Sequence, residues 1–93
     1  MILPFCVYVI QSERDLLLYH GFTRNLARRL IDHNNGRTIS TAKRRPLKLV
    51  YCEFFISKKD AMRREKYFKT TAGKRMLKLL LRETLKDIQY PNL

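Results

Sequence analysis

Five side chains in this 93-residue chain are of types that could do chemistry: Tyr8, Tyr19, Arg29, His33 and Glu65. Paired phenols can orient or deprotonate a water. A guanidinium offers a planar, permanently charged fork for a phosphate. An imidazole moves a proton near neutral pH. A carboxylate is a hard oxygen ligand for Mg2+. Jointly these groups would process a phosphate ester. Singly, each has a plainer reading. Tyr8 and Tyr19 alone read as a packed aromatic pair, and Arg29 as a snorkelling surface arginine. His33 alone reads as a satisfied boundary histidine, and Glu65 as half of a salt bridge to Arg29 or a neighbouring cation.

The elements that must position these groups follow from local pattern. The tyrosines lie in two apolar runs, 5–11 and 16–22, on either side of Ser12-Glu13-Arg14-Asp15. A hairpin centred between Glu13 and Arg14 would stand Tyr8 directly across from Tyr19 on one sheet face. Thr23 or Asn25 can cap a helix running to Asn34, with Gly36 in the C′ position. At 3.6 residues per turn, Arg29 and His33 fall beside the Leu26 and Leu30 stripe and look toward the sheet. Pro46 opens a third strand, Leu47 to Phe55. Ser57 and Asp60 form a capping signal for a helix over about 58–69. That helix puts Glu65 on the stripe of Ala61 and Phe68, where a carboxylate is costly unless paired or metal-bound. Thr70 to Gly73 should break it. A last helix over about 74–88 carries the stripe Leu77, Leu80, Leu81, Leu85 and Ile88. The order ββαβαα predicts an α+β fold, one antiparallel sheet with helices packed on it. No repeat or linker divides the chain, so one domain over 1–93 is expected.

Bulk charge narrows the partner. Twenty Lys and Arg face eight Asp and Glu, a net +12. The excess runs from Arg24 to Lys86, which argues for a basic surface and a polyanionic partner. Nucleic acid comes ahead of membrane, because no helix sets a lysine face against an aromatic one. The plainer reading of the charge is a merely soluble basic protein. The loop holding Arg37, Lys43, Arg44 and Arg45, interleaved with Thr38, Ser40 and Thr41, suits phosphate contacts; a solvated turn is its plainer reading. No apolar run approaches the roughly 18 residues of a membrane span, and the N-terminus does not read as a signal peptide. A cytoplasmic protein is expected. Cys6 and Cys52 should then be free thiols inside strands.

With those residues in place, the chain resembles the GIY-YIG nuclease superfamily. Cys6-Val7-Tyr8 stands where that family has GIY, and Tyr19-His20-Gly21 where it has YIG. Tyr19 follows Tyr8 by eleven residues, Arg29 follows ten later, His33 four after that, and Glu65 ends Arg63-Arg64-Glu65. Asn34-Asn35-Gly36 and the stretch 44–51 look most like the small stand-alone members, related to an excision-repair endonuclease subunit. The resemblance covers about residues 5–80.

It implies a three-stranded antiparallel sheet flanked by three helices. It also implies metal-dependent hydrolysis of DNA phosphodiester bonds, of DNA-repair or recombination type, with Mg2+ or Mn2+ on Glu65. Arg29 would hold the scissile phosphate, Tyr8 and Tyr19 would position or deprotonate water, and His33 would assist. A tyrosine base at neutral pH needs a pKa well below about 10. Arg24, Arg28, Arg37, Lys43, Arg44, Arg45 and Lys69 are the expected DNA contacts, with RNA as a second polyanion. Low sequence specificity is expected, or specificity lent by a homodimer or a repair-protein partner. Many family members carry an Asn or other polar group some dozen residues after the glutamate; here no Asn follows until Asn92. By strand alternation His20 should point away from Tyr19 and alter packing more than chemistry. The alternative is a non-catalytic nucleic-acid-binding module of the same fold, and a third is a protein-interaction domain.

Overall fold

The structure is a computed structural model that describes residues 3–91. Its elements in order are β1 (Phe5–Ser12), β2 (Leu18–Thr23), α1 (Leu26–Asn34), a 3-10 turn (Ala42–Arg44), β3 (Leu47–Phe55), α2 (Lys58–Phe68), α3 (Thr71–Leu80) and α4 (Arg82–Asp87). The three strands form one antiparallel sheet in the order β2-β1-β3, so β1 is central and β2 is an edge. This is the α+β arrangement expected from the sequence.

Strand alternation sorts the residues of β1 to two faces. Val7 and Val9 face a core completed by Ala61, Phe68, Leu77, Leu81 and Leu85 from α2, α3 and α4. Cys6, Tyr8 and Ile10 face the other way, with Leu47, toward Leu26 and Leu30 of α1. An irregularity in β3 keeps this sorting intact. Val9 pairs with Tyr51 but Ile10 pairs with Leu49, so Val50 is an extra residue. A bulge of this kind re-aims the side chains beyond it. Here it lets Leu47 join Tyr8 and Ile10 beneath α1.

The hairpin register differs from the expected one. Tyr8 pairs with Gly21, and Tyr19 pairs with Ile10. Side-chain capping moves the turn along the chain. The Ser12 Oγ accepts from the backbone N–H of Arg14 and Asp15 at 3.1 and 3.2 Å, and Asp15 Oδ1 accepts from Leu17 N at 2.9 Å. Leu16, read from sequence as strand, takes a left-handed φ of 65° inside the turn. Moving the centre by one residue shifts pairing by two, so side-chain parity survives. Tyr8 and Tyr19 still share a face, as diagonal neighbours.

The C-terminal helix also differs. Thr70 does follow the end of α2 at Phe68, as expected, but it caps a helix that starts at once, at Thr71 and not near Lys74. Its Oγ1 donates to Tyr67 O at 2.7 Å and accepts from Gly73 N at 3.0 Å. The expected single helix is two, divided at Leu81, which is the C-cap of α3 and the N-cap of α4. Leu80 consequently leaves the apolar stripe and is 48% exposed, whereas Leu77, Leu81 and Leu85 are buried. Gly73 is not a breaker but a buried close-approach residue. A Cβ there would lie 1.8 Å from the Tyr67 carbonyl oxygen. Because that neighbour is backbone, Gly73→Ala should cost about 3 kcal/mol or more, the upper end of overpacking. Urea unfolding of the variant beside wild type measures it, and an unchanged midpoint would contradict the packing described.

Candidate active site

Four of the five candidate residues meet on the sheet face under α1. Local chemistry explains how α1 reaches its place. Asn25 caps it, accepting from Arg28 N at 3.1 Å, and Leu26 and Leu30 turn its apolar stripe to the sheet. At the other end Asn34 clasps the start of β3. It accepts from Leu47 N at 2.8 Å and donates to Leu47 O at 2.9 Å. Gly36 follows at φ 75°, the left-handed value a helix C′ glycine supplies. His33 is thereby driven fully into the interior.

Tyr8, also fully buried, lies across Gly21 of the edge strand. A Cβ at Gly21 would come within 2.3 Å of both Cζ and the hydroxyl of Tyr8. The glycine of Tyr19-His20-Gly21 is therefore the space the first tyrosine occupies. The Tyr8 hydroxyl is 2.7 Å from His33 Nε2, and Arg29 Nε donates to it at 3.2 Å. On its other side His33 Nδ1 is 2.7 Å from Thr41 Oγ1. Tyr19 packs edge-on to the His33 ring at a centroid distance of 5.4 Å, and Tyr8 does so at 5.6 Å.

Proton bookkeeping orders this chain. Arg29 can only donate, so the Tyr8 oxygen accepts from it. The buried Tyr8 proton then needs an acceptor, which His33 Nε2 supplies in the tautomer protonated at Nδ1, leaving Nδ1–H to donate to Thr41. Burial pushes the Tyr8 phenol above its ordinary value, and this outweighs the opposing influence of Arg29. Burial pushes His33 down, and the Arg29 charge pushes it further, against a smaller opposite effect of Asp32. The ground state is therefore a neutral phenol donating to a neutral imidazole. The lowered tyrosine pKa that a phenolate base requires is not what this environment produces at Tyr8.

Glu65 stands apart from this network. It lies on α2, across the sheet, with its side chain 18% exposed, and it pairs with Lys69 at 2.6 Å. The plain reading of a salt bridge to a neighbouring cation is the contact seen. The pair nonetheless sits at the β2 edge. Glu65 raises Lys69, chiefly by hydrogen bonding, and Tyr19 adds a smaller contribution in the same direction. His20 faces the α2 side, packing on Phe68 at 5.9 Å as strand alternation anticipates. Burial lowers its pKa, and Lys74 and Lys69 lower it further. One edge strand thus brings Tyr19 on one face and His20 on the other within reach of one ion pair.

The basic residues are more committed than their count suggests. Arg28 and Arg37 share Asp32, at 3.3 and 3.1 Å. Burial pushes the Asp32 carboxyl up, but hydrogen bonds from Arg37 and Arg28 outweigh it and hold it low. Arg44 bonds Asp15 at 2.9 Å, Arg45 Nε donates to Ala42 O at 2.7 Å, and Arg24 lies over the Phe5 ring at 5.4 Å. Lys43 is exposed. The basic loop folds back on the hairpin, with Ser12 Oγ donating to Arg44 O at 2.5 Å. That fastening holds Thr41 against His33. Thr41 and Asn34 are the site-building residues that sequence pattern did not single out as such. Thr41 had no signal beyond its place in a polar loop, and Asn34 looked only like a helix end. Cys6 and Cys52 are both free. Burial, with Cys52 nearby, pushes the Cys6 thiol up to about 12, so it is an inert filler of the face. Asn92 lies outside the described residues.

The arrangement defines a class. The GIY-YIG catalytic domain family matches residues 4–78, and the chain belongs to that nuclease family, whose substrates are nucleic acids. Within it, the chain is similar to small proteins of the UPF0213 group. That of Clostridium perfringens is 40% identical over 85 residues, 90% of each chain. That of Staphylococcus haemolyticus is 43% identical over 75 residues, 80% of this chain and 90% of the relative. The solution NMR structure of a UPF0213 protein from Bacillus halodurans superposes with a TM-score of 0.52 at 33% identity, covering 82% of this chain and 83% of that one.

The lowered histidines give the structure an acid response. A histidine held neutral in the fold binds no proton where the unfolded chain does, so stability falls with pH below the ordinary value of 6.5. Asp15, held down by its Arg44 hydrogen bond, and Asp32 contribute only below their ordinary 3.8. Urea midpoints should therefore fall as pH drops from 6.5 toward 4, and His33→Gln should flatten that fall. A wild-type midpoint independent of pH over this window would contradict a buried neutral His33.

Proposed function

We propose that the chain is a Mg2+- or Mn2+-dependent endonuclease that hydrolyses DNA phosphodiester bonds with little sequence preference, of the kind used in DNA repair or recombination and working in the cytoplasm. One observation carries this reading: the Tyr8 hydroxyl held between Arg29 and His33. Arg29 spends its Nε on Tyr8, and the two terminal nitrogens of its half-buried guanidinium remain to clamp a phosphate. Charge developing on that phosphate in the transition state is stabilised by the same guanidinium. Tyr19, half-buried beside His33, orients the attacking water. Tyr8 could take the proton of the attacking water at its oxygen only by passing its own to His33 Nε2, so that proton transfer and phosphate binding would be joined through Arg29.

Glu65 is the residue that would hold the divalent ion. Among the described residues no three His, Cys, Asp or Glu side chains gather as a metal cage. A single carboxylate fits a cation that completes its shell with waters and phosphate oxygens, as Mg2+ does, and does not fit zinc. When bound, the ion supplies charge neutralisation at the scissile phosphate. Lys69 faces the carboxylate as a cation in the meantime.

That same ion pair favours a second reading, a nucleic-acid-binding module that does not cut. The two readings separate cleanly. With Mg2+ or Mn2+ and a panel of plasmid, flap, four-way-junction and single-stranded DNA, wild type should cut at least one substrate. Arg29→Ala and Glu65→Ala should each lower the rate about 100- to 1,000-fold, the scale for losing one transition-state stabilising group. Both should keep the fold and salt-sensitive binding. Wild type that binds but cuts nothing in the panel would give way to the binding-module reading.

A further inference from the structure

A concavity lies on the far side of the β2 edge, outside the site under α1. It is a cleft of about 360 Å³ between β2, α3 and α4. Its walls are Leu18, Leu77 and Leu85, with the Tyr90 ring beside them. Lys69, Lys74 and Lys78 stand around it together with His20, and among the described residues no carboxylate lines it. An apolar slot with a cationic rim matches a group that is flat and apolar in its body and anionic at its attachment. A nucleotide is such a group.

The cleft is built rather than frayed. The buried Gln11 donates from Nε2 to Leu16 O and to Ile88 O, both at 3.0 Å, tying the hairpin turn to the end of α4. Its volume falls in the range of small-molecule sites, which fits one nucleotide and not a stacked duplex. It also adjoins the candidate active site. Lys69 lines the cleft and pairs with Glu65, while His20 in the cleft directly follows Tyr19 in β2. A strand lying over that edge would touch both.

We propose that this cleft receives one unstacked base of the nucleic-acid strand, with the adjoining phosphates on Lys74 and Lys78. The substrate is then a strand locally free of pairing next to the point of cleavage. This rests on the reading of the adjoining face as a nucleic-acid-processing site and names the form of substrate it takes. Stacking on an aromatic ring and desolvation of the base supply the preference, and every base has a face to offer, so no sequence is read.

The test is equilibrium binding in EDTA by fluorescence anisotropy, so that it does not depend on cleavage. A labelled single-stranded DNA is compared with a strand of the same length whose nucleotides are abasic. Wild type should bind the abasic strand about tenfold more weakly, within the range for one stacked base. In Tyr90→Ala, checked for fold by circular dichroism, that preference should shrink to about twofold or less, whereas Lys74→Glu/Lys78→Glu should weaken the binding of both strands alike. Free dAMP should compete at least about 100-fold more weakly than the strand, because it lacks the neighbouring phosphates. Equal wild-type affinity for the two strands overturns the proposal, and since it uses no variant, no folding failure can mask it. Full base preference surviving in folded Tyr90→Ala overturns it as well, as do undiminished binding in Lys74→Glu/Lys78→Glu and dAMP binding as tightly as the strand. Loss of cleavage activity in Mg2+ with the base preference intact would count against the nuclease reading and leave the cleft assignment standing.

Discussion

The Tyr8 side chain is sealed from bulk solvent, and the candidate site is arranged around that constraint. A buried phenol must find protein partners or cost the fold roughly 1–3 kcal/mol. It finds Arg29 on one side and His33 on the other. Each partner makes a further demand. His33 must be brought inside by α1, which Asn34 pins to Leu47, and its second nitrogen must be met by Thr41. Thr41 is held there because the basic loop is fastened to the hairpin through Ser12, Arg44 and Asp15. The ring itself fits only because residue 21 has no side chain. A chain of local necessities thus runs from the hairpin turn to the loop and back to the sheet.

Much of this was legible in the sequence, for identifiable reasons. β3 and α2 carry strong propensity and a capping serine, and they form where expected, with Ser57 accepting from Asp60 N at 3.4 Å. The Arg29 and His33 pair at i, i+4 beside the Leu26 and Leu30 stripe pointed to the sheet, and both residues arrive there. The hairpin register was not legible, because the turn is set by Ser12 and Asp15 bonding the backbone and by a leucine in a left-handed conformation that composition would not choose. Gly73 was misjudged because a glycine between helices looks the same whether it ends one or lets two approach. The place of Thr41 depends on a loop closing over a helix, which no period reports.

Electrostatics divides the surface into committed and available charge. The net +12 overstates the field on the α1 side. Arg28, Arg37 and Arg44 are each paired with a carboxylate, and exposed pairs of this kind add little stability while screening the cations they contain. Around the β2 edge the balance differs, with Lys69, Lys74 and Lys78 against the Glu65 carboxylate among the described residues. Under the proposed function an anionic strand would be drawn to an edge from which both Tyr19 and the cleft are reached, and β2 would be the line along which it lies.

The central claim is that the buried Tyr8 hydroxyl joins phosphate binding at Arg29 to proton transfer at His33. Tyr8→Phe removes that oxygen and keeps the ring over Gly21. The decisive measurement is its single-turnover cleavage rate with Mg2+, on a substrate wild type cuts, with urea stability and DNA binding recorded on the same sample. The account predicts a folded protein that binds DNA normally and cuts about 100-fold more slowly, the scale of a lost acid–base group. A folded Tyr8→Phe protein cutting at the wild-type rate would contradict it.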